Sequence, residues 1–270
     1  MSRRYADAKE AFVDEINVDD YIELEGSKRA YDQLEHSLDK SSKMVLLFGK
    51  PGTGKTLLLH RLFQRYKYQR DLHFVETPSG SRRAFYEKLF GIFTGQTMPK
   101  KSKIDFETFV AFGKKIKGER SIVILVDEAQ MYPKELMEEI RILSDTGSIK
   151  FVISLHKTED EDLVAKQHFQ SRIWETIELK NADRKELKTY VYKRLLNRGL
   201  TEIANQLEEK HFKFIHKATE GNFRECNKLL YTAFEIYEYY DRHEPKKIDF
   251  NKFSMKILEM AAIKTGMLHV

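Results

Sequence analysis

Gly49-Lys50-Pro51-Gly52-Thr53-Gly54-Lys55-Thr56 is the stretch on which the reading of this chain turns. It follows the pattern G-x-x-x-x-G-K-[ST], and its flanks match the context that pattern needs. Immediately before it, Met44 to Phe48 is a continuous apolar run bounded by Ser41, Ser42 and Gly49, as in a parallel strand covered on both faces. Immediately after it, Leu57, Leu58, Arg61, Leu62 and Arg65 recur as an amphipathic helix. Gly52 and Gly54 allow backbone conformations closed to residues with a Cβ, so successive N–H groups can turn inward around phosphate oxygens at a helix N-terminus. Lys55 is then expected to reach the β- and γ-phosphates of ATP as a point charge, and the Thr56 hydroxyl to bind Mg²⁺ beside it.

The most aliphatic strand, Ser121 to Val126, ends in Asp127 and Glu128. Two carboxylates at the carboxyl end of a buried strand lie where open α/β sheets bind their ligands. Asp127 suits Mg²⁺ coordination, direct or through water, and Glu128 suits polarisation of an attacking water.

Outward from these motifs, strand and helix patterns alternate. Leu72 to Glu76, Phe151 to Leu155 and Trp174 to Leu179 complete five strands. Helices are expected at residues 5–16, 27–39, 81–93, 105–117 and from Pro133, at a helix N1 position, to about Ser144. Strands separated by helices are most easily arranged as a parallel sheet. After Lys180 the strands stop and the pattern is helical throughout, with Leu187, Val191 and Leu195, then Phe212 and Ile215, then Phe223 through Tyr239. In Phe250 to Ala262, Phe253, Ile257 and Met260 recur at helical spacing and read as packing. The expected organisation is an N-terminal extension (1–26), an α/β nucleotide-binding core with a five-stranded parallel sheet and flanking helices (27–180), and a small all-helical lid domain with C-terminal helices (181–270).

Composition sets the outer bounds. Hydrophobic residues at 41% and charged residues at 33% describe a chain that folds. The longest aliphatic runs are strand-sized, far short of the roughly 20 residues of a membrane span. The N-terminus lacks the apolar segment of a secretory signal, so a cytoplasmic location is expected, peripheral to the inner face of a membrane only through a partner. The single cysteine, Cys226, sits in a helical pattern and reads as a packing residue. A formal net charge of +5 is compatible with a nucleic-acid or acidic-lipid partner without requiring one.

The segments GKPGTGKT (49–56) and IVILVDEAQ (122–130) together resemble the AAA+ ATPases, and more narrowly the group that includes ExeA-type secretion ATPases and TniB/TnsC-type transposition ATPases. LMEEIRILSD (136–145), FVISLH (151–156), FQSRIWETIELK (169–180) and ATEGNFRECNKLL (218–230) follow in that group's order. The resemblance implies that the polar residue ending the fourth strand acts as sensor 1. That residue is His156, where the group more often has Asn or Gln, with Ser154 as the alternative. It also implies that Arg172 is an arginine finger offered to a neighbouring subunit's nucleotide, and that Arg224 is sensor 2, starting a helix after Gly221 and Asn222. Tyr21 and Ile22 are candidates for an adenine contact.

The function implied is an ATPase that oligomerises with ATP, as a ring or filament, and drives or times assembly of a partner complex. That complex is either a secretion, pilus or DNA-uptake apparatus or a transposition machinery. The partner is a protein, a membrane protein's cytoplasmic segment among the candidates, or DNA. The alternative is a low-turnover, ATP-dependent switch that binds DNA or a protein as a regulator or scaffold. A small-molecule phosphotransferase would share the phosphate loop but leaves the helical region with Arg224 unexplained.

Overall fold

The computed structural model describes residues 4–76, 81–99, 104–156 and 173–268. The chain divides into two compact units, one of residues 29–50 and 55–179, the other of residues 1–28, 51–54 and 180–270.

The first unit is built on five parallel strands, β1 (Met44–Gly49), β2 (Leu72–Val75), β3 (Ile122–Val126), β4 (Ile149–His156) and β5 (Ile173–Glu178), in the order β2-β3-β4-β1-β5. All five expected strands form. Every residue of β3 is buried, as a strand with both faces covered requires. One face, carrying Met44, Leu46, Ile122, Ile124, Val126, Phe151 and Ile153, packs against three helices: α4 (Arg82–Thr94), α5 (Phe106–Lys115) and α6 (Lys134–Ser144). Strand alternation sends Val45, Leu47, Val123, Leu125, Val152 and Ser154 to the opposite face. Two helices serve that side, α2 (Glu25–Asp39) and α3 (Lys55–Tyr66), the latter following β1. Lys150, buried in β4, donates to the carbonyls of Ser37, Leu38 and Lys40 at 2.6, 3.0 and 2.6 Å and so caps the C-terminal turn of α2. Pro133 stands one place earlier than expected, at the N-cap of α6.

The second unit is helical. Its core joins the short N-terminal helix α1 (Arg4–Glu10) to the long helix Phe223–His243: Tyr5 stacks on Tyr237 with centroids 4.9 Å apart, Phe12 stacks on Phe234, and Lys9 pairs with Glu238 at 2.8 Å. The helix expected over 5–16 therefore stops at Glu10, and the chain turns so that Phe12 enters this core. Asp183 and Glu186 form a reciprocal capping box on Arg184–Asn197. In the last helix, Met255–Lys264, the buried face is Ile257, Leu258, Ala261 and Ala262, whereas Met260, expected to pack, is exposed. Cys226 is fully buried and burial pushes its thiol pKa up, which leaves it inert packing. No helix among the described residues is long and apolar enough to cross a membrane.

Candidate nucleotide site

The 49–56 loop leaves β1 at Gly49 and runs directly into the N-terminus of α3 at Lys55. Gly52 has φ 78° and Gly54 φ 94°, the left-handed region that a phosphate-cradling turn uses and side chains disfavour. Lys55 is 4% exposed, and its ammonium donates to the carbonyls of Gly49 at 2.7 Å and Lys50 at 3.0 Å. Thr53 is buried, and Thr56 is half-buried on the first turn of α3.

Residues 51–54 belong to the helical unit, where Asn222 contacts them. Its Nδ2 donates to the Pro51 carbonyl at 2.6 Å, and its Oδ1 caps the helix Phe223–His243 by accepting from the N–H groups of Arg224 and Glu225. A Cβ on Gly52 would lie 2.4 Å from Asn222 Oδ1 and 2.8 Å from Arg224 Cβ, so this approach requires glycine. Arg224 stands in the first turn of that helix, as the break at Gly221 and Asn222 implies, and its Nε donates to Asp14 Oδ2 at 3.0 Å. Sequence reading missed Asp14. It lies 210 positions from Arg224, and only the packing of the N-terminal segment brings it there.

Asp127 directly follows β3 at 2% exposure, and its Oδ1 accepts from the Glu128 N–H at 3.0 Å. Glu128 has φ 50° and ψ 37°, a conformation rare for a non-glycine residue. His156 ends β4 directly opposite Gly49 of β1 in the strand register. Its Nε2 lies 2.9 Å from Glu128 Oε1, so Glu128 and His156 form a pair. Gln130 completes this group: its Nε2 donates to Glu128 Oε2 and lies 3.2 Å from His156 Nδ1, and its Oε1 accepts from the His156 backbone N–H at 3.3 Å. The sequence reading gave Gln130 no role, although its place two residues beyond the acidic pair was a signal available to it. The Ser154 hydroxyl is buried with no hydrogen-bond partner among the described residues. Arg172 lies outside the described residues. Tyr21 bonds Ser27 at 3.0 Å and Ile22 is buried.

Among the described residues, no group of three His, Cys, Asp or Glu side chains is placed to hold a metal ion. The donors offered, the Thr56 hydroxyl and the buried Asp127 carboxylate, are hard oxygens that leave most coordination positions to water and phosphate. Such donors would fit Mg²⁺ held through a nucleotide rather than in an all-protein cage.

Residues 38–162 match the family described as AAA domain. No curated protein matches the chain. Among solved structures, the chain is similar to the Aeropyrum pernix ORC1 protein in complex with DNA, at TM-score 0.61 and 16% identity over 95% of this chain and 69% of that one. It is also similar to the ADPNP-ADP complexes of the Aeropyrum pernix ORC2 protein, at TM-score 0.58 and 16% identity over 96% and 72%. Domain III of the Thermotoga maritima replication initiation protein DnaA matches at TM-score 0.52 and 17% identity over 93% and 97%. At these identities the likeness establishes fold. Taken with the five-stranded parallel sheet and the 49–56 loop, it means that the chain has the P-loop AAA+ fold.

Proposed function

We propose that this protein binds ATP·Mg²⁺ through Gly49 to Thr56 and Asp127, hydrolyses it with Glu128, and couples the cycle to oligomeric assembly on a partner, as ExeA-, TniB- and TnsC-like ATPases do. The observation that carries the reading is that Gly49, which opens the phosphate loop, lies opposite His156 in the strand register, and that Glu128, next to Asp127, pairs with His156. Backbone N–H groups of the loop, the Lys55 ammonium and the N-terminus of α3 bind the phosphates. Thr56 and Asp127 would hold Mg²⁺, whose charge would be shared by β- and γ-phosphate oxygens. Glu128 orients a water whose oxygen attacks the γ-phosphorus as the bond to the β-phosphate oxygen breaks, and it takes up the proton the water loses. His156 acts as the γ-phosphate sensor, and Arg224, which shares a unit with loop residues 51–54, adds a second cation. Arg172 acts in trans.

DNA is the partner favoured here, because the Aeropyrum pernix ORC1 protein, of similar fold, is seen in complex with DNA, and this chain carries a net +5. One observation favours the low-turnover switch as a second reading: both carboxylate oxygens of Glu128 are engaged by neighbouring side chains.

The test is complementation. Arg172→Ala and Lys55→Ala subunits, each inactive alone, should regain hydrolysis when mixed, because one mixed interface joins an intact loop to an intact arginine. Specific activity of the wild type should rise with protein concentration and with added DNA. Turnover independent of concentration by a strict monomer would rule out assembly, and absence of ATP binding would rule out the reading as a whole.

A further inference from the structure

Glu128, Gln130 and His156 form a closed ring in which each side chain satisfies the other two. The Gln130 carboxamide has two N–H donors and spends one on Glu128 Oε2 and one on His156 Nδ1. A ring nitrogen that accepts carries no proton, so the His156 proton sits on Nε2, where it faces Glu128 Oε1 at 2.9 Å. The remaining acceptor of the amide, Oε1, takes the His156 backbone N–H at 3.3 Å, which fixes the orientation of the carboxamide. The backbone points the same way. Glu128 is held at φ 50°, a conformation that persists only where its surroundings over-determine it, and the ring together with the Glu128 N–H bond to Asp127 supplies those restraints.

Resting on the ATPase reading above, we propose that Gln130 is a positioning residue that latches Glu128. It fixes the Nε2–H tautomer of His156 and, with His156, keeps the Glu128 carboxylate turned from the attacking water. A γ-phosphate that draws the Nε2–H of His156 to itself removes one of the two hydrogen bonds on that carboxylate and frees it to orient water. Hydrolysis is thereby tied to recognition of the triphosphate, and the resting enzyme is slow.

The test uses full-length Gln130→Met, which keeps side-chain length and loses both donors, with Gln130→Leu as a second variant. Long-range ¹H–¹⁵N correlation of the imidazoles, with His156 assigned by its loss in His156→Asn, should show a single Nε2–H tautomer in the wild type and a mixture in Gln130→Met. This readout needs no nucleotide, so it stands or falls apart from the ATPase reading. In steady-state hydrolysis without partner, Gln130→Met should raise kcat by about tenfold, the scale of one hydrogen bond to a charged group, with KM for ATP unchanged within twofold. A merely structural role would lower kcat or raise KM. An Nδ1–H tautomer in the wild type would overturn the tautomer assignment, and an unchanged or reduced kcat in both variants would overturn the latch.

Discussion

Replacing Gly221 by alanine tests how the helical unit presents Asn222 and Arg224. Gly221 has φ 76°, and its carbonyl accepts from the Ala182 N–H at 3.0 Å. A Cβ added there would lie 1.9 Å from the Ala182 carbonyl oxygen, a separation no non-bonded pair tolerates, so one backbone must move. Alanine in the left-handed region costs about 1–2 kcal/mol. The displaced hydrogen bond costs roughly 0.5–1.5 kcal/mol more. Forcing volume into a packed site costs about 1–3 kcal/mol. Together these come to roughly 2.5–6.5 kcal/mol, large enough to change the population of opened helical unit. Cys226 is a local reporter, because it is the only cysteine and is fully buried in this unit. Its labelling by an aromatic disulfide requires opening, and at about 1.4 kcal/mol per decade the rate in Gly221→Ala should rise by roughly a hundredfold or more. Gly199→Ala is the control, since Gly199 has a similar φ of 72° but open space around its Cβ direction, and only about a tenfold rise is expected. Equal labelling rates in the two variants would refute the steric argument.

Glu128→Gln keeps the shape of the carboxylate and loses its charge, so it should retain ATP affinity and lose hydrolysis by at least a hundredfold; wild-type turnover would move the base elsewhere. Asn222→Ala removes the cap on two N–H groups and the bond to Pro51, and should destabilise the helical unit by about 1 kcal/mol while weakening nucleotide binding, measured by thermal shift and equilibrium titration. His211, buried with Nδ1 accepting from the Glu208 N–H at 2.8 Å and with Phe253 against its ring, has its pKa lowered by burial and by the Lys210 charge, with Glu208 opposing. Its folded value lies below its unfolded value, so the unfolded chain binds more protons in between. Stability should be full above about pH 6.5 and fall as pH drops through that range, a dependence absent in His211→Gln. A flat profile in the wild type would remove His211 from the account.

Four of the five strands were legible as short apolar runs closed by a turn or polar residue, β5 by its mixed IWETIE pattern between helical segments, and the 49–56 loop because phosphate cradling needs glycine, lysine and a hydroxyl in a fixed local order. Both are properties of contiguous residues. The 5–16 segment shows where this stops: its helical periodicity continues past Glu10, yet burial of Phe12 against Phe234, more than 200 residues away, turns the chain first. Met260 shows the same, since its spacing fits the helix but the core lies on the side of Leu258 and Ala262. The sequence by itself determined strand and helix content, the phosphate loop and the acidic pair, all encoded within a few neighbouring residues. Only the tertiary structure decided the order β2-β3-β4-β1-β5, which puts Gly49 opposite His156, and the meeting of Arg224 with Asp14 and of Glu128 with Gln130 and His156. Those pairings depend on which apolar faces bury one another, a property of the whole chain that no local pattern carries.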